Sequence, residues 1–201
     1  MIQNLNKFEE DSRKYYIKWL ENNKFRISKI INQSKNYYSS RISRFYSGYK
    51  NKTGISKYIS LIKKIWDKKD ILIIEGNKTL FGIGNDLINN SNSIKRIICP
   101  NLNAFDFYDK IINEVIKINK NILILIALGP TATVLSYDLN RLGYQAIDIG
   151  HTDIEYEWFL KNATKKVKIK NKYVNEVDNG LINYTNIKDR IYYKQIIKKI
   201  S

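Results

Sequence analysis

The sequence predicts an α/β fold in which a Rossmann-like, mostly parallel sheet is flanked by helices and preceded by a helical N-terminal extension. Short apolar runs recur through the middle of the chain and alternate with segments of helical periodicity. The runs at 71–74 and 122–128 are continuously apolar, as expected of strands covered on both faces. Regular alternation of strand and helix is typical of a parallel sheet with right-handed crossovers.

Each predicted element follows from its own periodicity and boundary residues. Helices carry apolar residues at spacings of three and four, whereas strands are short β-branched runs that end at Gly or Pro. Core positions are predicted for Trp19 and Trp66, while Trp158 is equally compatible with core packing and with stacking on a ligand. In chain order we predict helix 9–35, an irregular segment 37–53, helix 56–68, strand 71–74, a loop and helix within 80–89, strand 94–99, helix 106–117, strand 122–128, helix 131–142, strand 145–149 and a helix through 158–160.

Charge divides the 201 residues into three parts of one predicted domain. A helical basic flank (1–69) has 17 Lys/Arg against 5 Asp/Glu, the α/β core (70–160) has 7 against 11, and a basic C-terminal segment (161–201) has 11 against 3. A basic flank can bind nucleic acid, an anionic membrane surface or nucleotide phosphates, or can simply keep the protein soluble. The acidic centre and the lack of an RNA-binding motif argue against a nucleic-acid partner.

The composition also indicates the cellular compartment in which the protein is expected. The longest apolar run, 122–128, is too short to span a bilayer, and the N-terminus shows no apolar stretch typical of a secretory signal. The single Cys99 excludes a disulfide within the chain, fits a reducing compartment and is predicted to be a buried structural thiol. We expect a cytoplasmic protein, with its basic flanks as candidate contacts to the inner membrane surface.

The predicted ligand site lies at one edge of the sheet. Ligands of parallel α/β sheets bind outside the carboxyl ends of the strands. Four predicted strands end at 75–76, 99–101, 129–131 and 150–153. The residues that carry chemistry are therefore sought at these four positions.

The segment after the first strand contains Gly82, Gly84, Asn85 and Asp86. Glycines at such a junction allow the backbone to approach a phosphate, and a following helix N-terminus favours an anion. The third glycine of a dinucleotide-binding motif is missing. A tight turn in which Asp86 caps a helix explains the same residues.

A second candidate, the turn at 127–133, offers Gly129 and the hydroxyls of Thr131 and Thr133. Free amide groups at a strand-to-helix turn suit phosphate, and the hydroxyls suit a sugar. Capping of the helix by Thr131 is an equally good explanation of this turn.

The third candidate is an acidic pair, Asp153 and Glu155, at the end of the fourth strand. In an extended segment, residues two apart point to the same side, so both carboxylates reach one hard divalent cation. His151 precedes them as a ligand, a hydrogen-bonding group or a loop residue, and the oxygen preference of Mg²⁺ and Mn²⁺ favours a role other than ligand. The alternative is that the pair begins the next helix.

Taken in order, these motifs resemble bacterial glycosyltransferases of the GT-D fold, the family first catalogued as DUF1792. The resemblance covers about residues 40–177, and it is the order of the motifs that makes it specific. The motifs are Glu75-Gly76, Gly82-Ile83-Gly84-Asn85-Asp86-Leu87, the segment 93–100 with Asn103-Ala104-Phe105, the segment 127–133, and the segment 147–158 with Asp153-Ile154-Glu155.

The resemblance implies a metal-dependent enzyme that moves a hexose, with glucose as the best-known case, from a UDP-sugar to a glycan or glycoprotein acceptor. Such enzymes build cell-surface polysaccharide or glycosylate adhesins, and other glycosyltransferases are possible partners. Asp153 and Glu155 match the family's Asp-X-Glu motif and are the implied ligands of Mn²⁺ or Mg²⁺. Glu75, Asn85 and Asp86 match positions that suggest donor or acceptor contacts, and Glu75 is the candidate base.

Two departures from the family pattern lead to an alternative hypothesis. The family usually has Ser/Thr-Arg where this sequence has Thr79-Leu80, so a cation expected near a diphosphate is absent. Family members also commonly begin with a segment carrying an Arg-Phe-Gly-Asp-Gly-Glu motif, which this sequence does not contain. The alternative is a truncated, inactive member that binds a nucleotide sugar or serves as a partner subunit.

Overall fold

A parallel sheet forms the centre of the protein. The computed structural model describes residues 2–32, 34–36, 41–178, 180 and 189–201. The strands lie side by side in the order β4-β3-β1-β2-β5, and every neighbouring pair is parallel. The strands are β1 (Asp70–Gly76), β2 (Ser93–Cys99), β3 (Leu123–Ala127), β4 (Gln145–Asp148) and β5 (Ile196–Lys199).

Helices connect the strands and precede the sheet. Among the described residues, no helix combines the length and the apolar composition needed to cross a bilayer. The α-helices are α1 (Glu10–Ile30), α2 (Ile55–Lys63), α3 (Tyr108–Val115), α4 (Pro130–Arg141), α5 (Thr152–Leu160) and α6 (Arg190–Gln195), with 3-10 turns at Ile2–Lys7 and Ala104–Phe107.

The hydrophobic core covers both faces of the sheet. Ile71 and Ile73 pack into the cluster that contains the buried side chains of α2, whereas Leu72 and Ile74 pack with those of α3 and α4. Burial of one such side chain contributes about 1.5–3 kcal/mol. Two covered faces explain why this strand is continuously apolar.

The register brings the carboxyl ends of the strands to one edge. Gly76 at the end of β1 pairs with Cys99 at the end of β2, and Glu75 pairs with Ala127 at the end of β3. The predicted ligand edge of the sheet is therefore assembled from the ends of these strands.

Most predicted elements are present, but the helix predicted within 80–89 is not. Residues 80–92 form consecutive turns, so the interpretation of Asp86 as a helix cap is wrong. Leu80, Gly82 and Gly84 have φ angles of 52°, 72° and 81°, which a right-handed helix cannot contain.

The N-terminal helix and the C-terminal segment also differ from expectation. The predicted core position of Trp19 is wrong, because its side chain is 42% exposed and α1 has no buried residue. Trp66 and Trp158 are buried, with indole N–H groups that donate to Leu87 and Val167 carbonyls. The C-terminal segment adds an unpredicted strand, β5, whose short, lysine-rich sequence gives little apolar signal.

Candidate functional site

A cavity of about 480 Å³ opens at the carboxyl ends of β1, β2 and β3. It lies where ligands of open α/β sheets are bound. Its lining is Gly76, Thr79, Phe81, residues 101–105, residues 127–131, Gly150, His151, Asp153, Ile154, Tyr173 and Asn175. We call it the strand-end cavity.

Five of the predicted site residues line the strand-end cavity: Gly76, Gly129, Thr131, His151 and Asp153. Gly129 has φ 55° and ψ −145°, a conformation essentially restricted to glycine, and α4 begins at the following proline. Pro130 has no amide hydrogen and the Ala132 amide donates to the Gly129 carbonyl, so the group that the start of α4 offers at the cavity is Thr131, where the helix dipole favours an anion.

Asp153 is the buried acidic group of this cavity. Its Oδ1 accepts hydrogen bonds from the Gly82 amide at 3.0 Å and the Asn85 amide at 2.8 Å. Its Oδ2 lies 2.7 Å from Lys172 Nζ, which also lies 3.0 Å from Glu157 Oε1. The carboxylates of Asp153 and Glu157 thus share one internal ammonium group, which offsets one of their two negative charges.

Glu155 points away from Asp153, so the expectation of an extended segment is wrong. Both residues lie in the first turn of α5, and a helix turns about 100° per residue, which sends residues two apart to opposite sides. Glu155 accepts backbone hydrogen bonds from Tyr46 and Ser47 at 2.6 Å, and another from the Ser47 hydroxyl. Burial raises the pKa of Glu155, and the hydrogen bonds from Ser47 and Tyr46 oppose that shift.

The donor set does not fit a divalent cation in this arrangement. Among the residues that the structure describes, no three His, Cys, Asp or Glu side chains are grouped to hold a metal. Asp153 is already paired with Lys172, and Glu155 is occupied by the backbone of residues 46–47. The two acids therefore have separate partners in this structure, and we assign no chemical step to a metal.

The glycine segment supports Asp153 instead of lining the cavity. A Cβ on Gly82 would lie 2.5 Å from the Ile88 side chain, so only glycine permits this close approach at φ 72°. Asn85 bridges Asp153 and Glu157 and accepts a hydrogen bond from the Leu87 amide. Gly82, Gly84, Asn85 and Asp86 are all absent from the cavity lining.

Asp86 lies at the protein surface. Lys63 donates to it at 2.7 Å and the Tyr156 hydroxyl at 2.5 Å, and these hydrogen bonds lower the pKa of Asp86. Thr133 likewise lies outside the cavity lining and donates to Asp148 at 2.8 Å. Both residues therefore stabilise the loops around the cavity without facing it.

Glu75 is sealed inside the protein. Its carboxylate lies 2.6 Å from the Arg96 guanidinium, accepts a hydrogen bond from the Phe81 amide, and has no exposed surface. Burial raises its pKa, and the Arg96 charge opposes that shift. With these contacts, the Glu75 side chain holds the turn after β1 in place. Nearby Cys99 is buried, and burial raises its pKa to about 12.

His151 lies beside an ion-pair cluster that the sequence did not reveal. Arg44 forms an ion pair with Glu176, and Lys166 Nζ lies 3.6 Å and His151 Nδ1 4.0 Å from the second carboxylate oxygen. Burial first and then the Arg44 charge lower the pKa of His151. Burial alone would raise the pKa of Glu176, but the charges of Arg44, His151 and Lys166 hold it below its usual range.

Several lining residues were missed by sequence reasoning. The turn after β2 contributes residues 101–105, and the C-terminal segment contributes Tyr173 and Asn175. The strand-end rule pointed to the first group, because Cys99 ends a strand. No motif in the sequence identifies Tyr173, Asn175 or Lys172 as site residues. The fold of the basic C-terminal segment brings them to the site.

A parallel sheet with a ligand-sized cavity at its carboxyl ends defines an α/β protein with a strand-end binding site. A family model described as "Glycosyltransferase GT-D fold" matches residues 1–177. The chain therefore belongs to the GT-D glycosyltransferase family.

Comparison with individual proteins agrees with this membership. The chain is 43% identical over 166 residues to the probable glycosyl transferase Gly of Streptococcus gordonii, covering 82% of this chain and 24% of that protein. It is 42% identical over 164 residues to the glycosyltransferase GlyD of Streptococcus pneumoniae, covering 82% of this chain and 20% of that protein. The chain thus spans about a quarter or less of these curated relatives.

Solved structures show the same fold. A new glycosyltransferase (DUF1792) from Streptococcus sanguinis superposes with a TM-score of 0.92 at 38% identity, covering 98% of this chain and 74% of that one. A second structure, described as a highly conserved DUF1792 domain with a distinct glycosyltransferase fold, gives a TM-score of 0.91 at 39% identity, with 98% and 71% covered. The expected GT-D architecture is confirmed.

Proposed function

We propose that the chain is a glycosyltransferase that moves a hexose, glucose by family resemblance, from a UDP-sugar to a glycan or glycoprotein acceptor. The observation that carries this proposal is the strand-end cavity of about 480 Å³, which lies at the ligand edge of the sheet. Family membership supports a sugar-transferring reaction. Cell-surface polysaccharide or adhesin glycosylation is the proposed setting, in the cytoplasm or at the inner membrane surface.

The cavity has suitable groups for the parts of a nucleotide sugar. The start of α4 offers the Thr131 amide and the Thr131 hydroxyl for a diphosphate. Leu102 and Phe105 line the cavity and are among the exposed large apolar side chains, so they can cover the flat face of a base. His151 and Asn175 add hydrogen-bonding groups for the sugar.

The proposed reaction exchanges one bond at the anomeric carbon for another. The acceptor hydroxyl oxygen bonds to the anomeric carbon while the bond to the diphosphate oxygen breaks, and UDP leaves with the electron pair. The hydroxyl proton passes to a basic group or to water. The chain's own contribution is to orient donor and acceptor and to stabilise the leaving diphosphate at the α4 N-terminus.

A catalytically inactive nucleotide-sugar-binding or partner subunit is the second candidate, and Leu80 favours it. Its side chain is fully buried and packs with Ile98 and Tyr192, at the position where the family motif carries an arginine. No cation can reach a diphosphate from this position. Binding of the donor without turnover is the behaviour that this candidate predicts.

Thermal unfolding with UDP, UDP-glucose and ATP, combined with an assay of UDP release from UDP-glucose, tests both candidates. A ligand that binds only the native state raises the midpoint with its concentration. A rise with UDP and UDP-glucose but not ATP, together with UDP release, supports the transferase. The same rise without UDP release supports the inactive subunit, and no rise for either uridine ligand contradicts both.

A further inference from the structure

A second, larger cavity of about 790 Å³ lies beside the strand-end cavity. Helix α1, the segment 41–52, residues 163–166 and Glu176 enclose it. The side chains that matter for its chemistry are Tyr15, Tyr16, Arg44, Ser47, Thr164 and Glu176. We call it the α1 cavity.

The two cavities are separated by the first turn of α5 and its neighbours. Asp153 lines the strand-end cavity, whereas Glu155 holds the backbone amides of Tyr46 and Ser47, which line the α1 cavity. Asp153 therefore contributes to the wall of the strand-end cavity, and Glu155 holds part of the wall of the α1 cavity in place.

The two linings meet at consecutive residues, because Asn175 lines the strand-end cavity and Glu176 lines the α1 cavity. His151 lines the strand-end cavity, Glu176 lines the α1 cavity, and His151 Nδ1 lies 4.0 Å from Glu176 Oε2. This contact forms part of the wall between the two cavities. Glu176 Oε2 and His151 Nδ1 are both buried and make no hydrogen bond with the described residues, although Lys166 Nζ lies 3.6 Å from Glu176 Oε2.

The α1 cavity suits a neutral ligand rich in hydroxyl groups. Tyr15 presents an aromatic ring that is 63% exposed, and Ser47, Thr164 and Glu176 add hydroxyl and carboxylate groups. The lining mixes acids (Glu9, Asp11, Glu176) with bases (Arg41, Arg44, Lys52, Lys165, Lys166), and Arg44 and Lys166 are paired with Glu176, so the cavity is not the uniformly basic surface that a polyanion such as nucleic acid uses.

We propose that the α1 cavity binds the saccharide acceptor, on the other side of the His151–Glu176 contact from the donor. The Ser47 and Thr164 hydroxyl groups hydrogen-bond to acceptor hydroxyls, and Tyr15 packs against a sugar ring. This inference rests on the proposed function, because it supplies the second substrate of the same reaction.

The test is a glycan array of neutral hexose and N-acetylhexosamine oligosaccharides, probed with the labelled full chain and three variants. Tyr15→Ala removes the ring and Thr164→Trp fills the cavity from an exposed position. Tyr137→Ala is the matched control, because Tyr137 lies on α4 and is also 63% exposed. We expect binding of a glycan that both cavity variants weaken about tenfold and the control leaves unchanged.

UDP-glucose binding is measured on the same four proteins, which separates this inference from the proposed function. Glycan binding that the two cavity variants do not alter overturns the inference, and so does a wild-type protein that binds UDP-glucose but no glycan. Variant-sensitive glycan binding without UDP-glucose binding supports the α1 cavity and contradicts the transferase.

Discussion

Lys172 Nζ lies 2.7 Å from Asp153 Oδ2, and both side chains are only 3% exposed. This contact places a cation from the C-terminal segment against the acid that begins α5. Because Glu157 Oε1 is also 3.0 Å from the same ammonium, two buried or nearly buried carboxylates share one lysine. The C-terminal basic segment therefore completes the site.

The first prediction concerns the loss of this ammonium. We expect Lys172→Met to lower the free energy of unfolding by about 3 kcal/mol, because breaking a buried ion pair leaves uncompensated charge. Urea unfolding at neutral pH measures the change. Lys170→Met, at an exposed neighbouring position, serves as control and should stay close to wild type. Equal stability of both variants would show that the ion pair does not form.

The second prediction separates a structural Glu155 from a metal ligand. We expect Glu155→Ala to cost roughly 2–4 kcal/mol of stability without any metal present, because the buried backbone amides of Tyr46 and Ser47 lose their acceptor. Denaturant unfolding in EDTA is the measurement, with Glu114→Ala as control. Unchanged stability in EDTA, with a loss appearing only in Mn²⁺, would instead identify Glu155 as a ligand.

The third prediction addresses Glu75 and Arg96, which form a fully buried ion pair. Each single substitution to Leu should destabilise the protein by about 3 kcal/mol, whereas the double substitution should cost clearly less than the sum. A double-mutant cycle of unfolding free energies gives the coupling energy. Additive effects, or loss of turnover in Glu75→Leu without loss of stability, would contradict the structural role.

The fourth prediction uses the protein's single histidine, His151. Its pKa lies below the usual 6.5, because burial and the Arg44 charge disfavour the imidazolium. Since the native state binds this proton less strongly than the unfolded chain, stability falls as pH decreases from 6.5 through the native pKa. NMR titration of the one imidazole signal gives the pKa directly.

Variants of the two charged neighbours give the sign of each interaction with His151. Removing a positive charge with Arg44→Gln should raise the His151 pKa, and removing a negative charge with Glu176→Gln should lower it. The exposed variant Lys57→Gln should leave the titration unchanged. A pKa above 6.5 in wild type, or shifts of the opposite sign, would contradict the described cluster.

The order of elements was predictable, because the buried parallel strands carry strong local signals. The runs at 71–74 and 122–128 are apolar since both faces of the sheet are covered, and Pro130 and Gly143 mark the two ends of α4. Each of these signals lies within the sequence of the element itself, so it can be recognised without knowledge of the tertiary contacts. The strand-end rule then located the cavity and five of its lining residues.

What the sequence could not predict depends on contacts between distant segments. The spacing of Asp153 and Glu155 suggests convergence in a strand, but they point apart in a helix, and only the fold decides between these conformations. Lys172 lies 19 positions after Asp153 in the sequence, and no motif predicts their contact. The strand β5 pairs with β2 from 100 to 101 residues further along the chain, and its two lysines interrupt the apolar pattern by which a strand is predicted.

The central claim, that the strand-end cavity binds a nucleotide sugar, is tested most directly by calorimetric titration of UDP-glucose. Wild type is compared with Leu102→Glu, which adds a negative charge at the cavity, and with Leu61→Glu, a control on α2 outside both cavities. These positions are 68% and 52% exposed, so both variants should fold. Titrations in Mn²⁺ and in EDTA show whether UDP-glucose binding requires a divalent cation.

We predict saturable binding to wild type and to Leu61→Glu, and affinity weakened by roughly fourfold or more in Leu102→Glu, because each added like charge near the diphosphate costs about 1 kcal/mol. Absence of binding to folded wild-type protein in both buffers, or equal affinity of all three proteins, would contradict the assignment of the cavity.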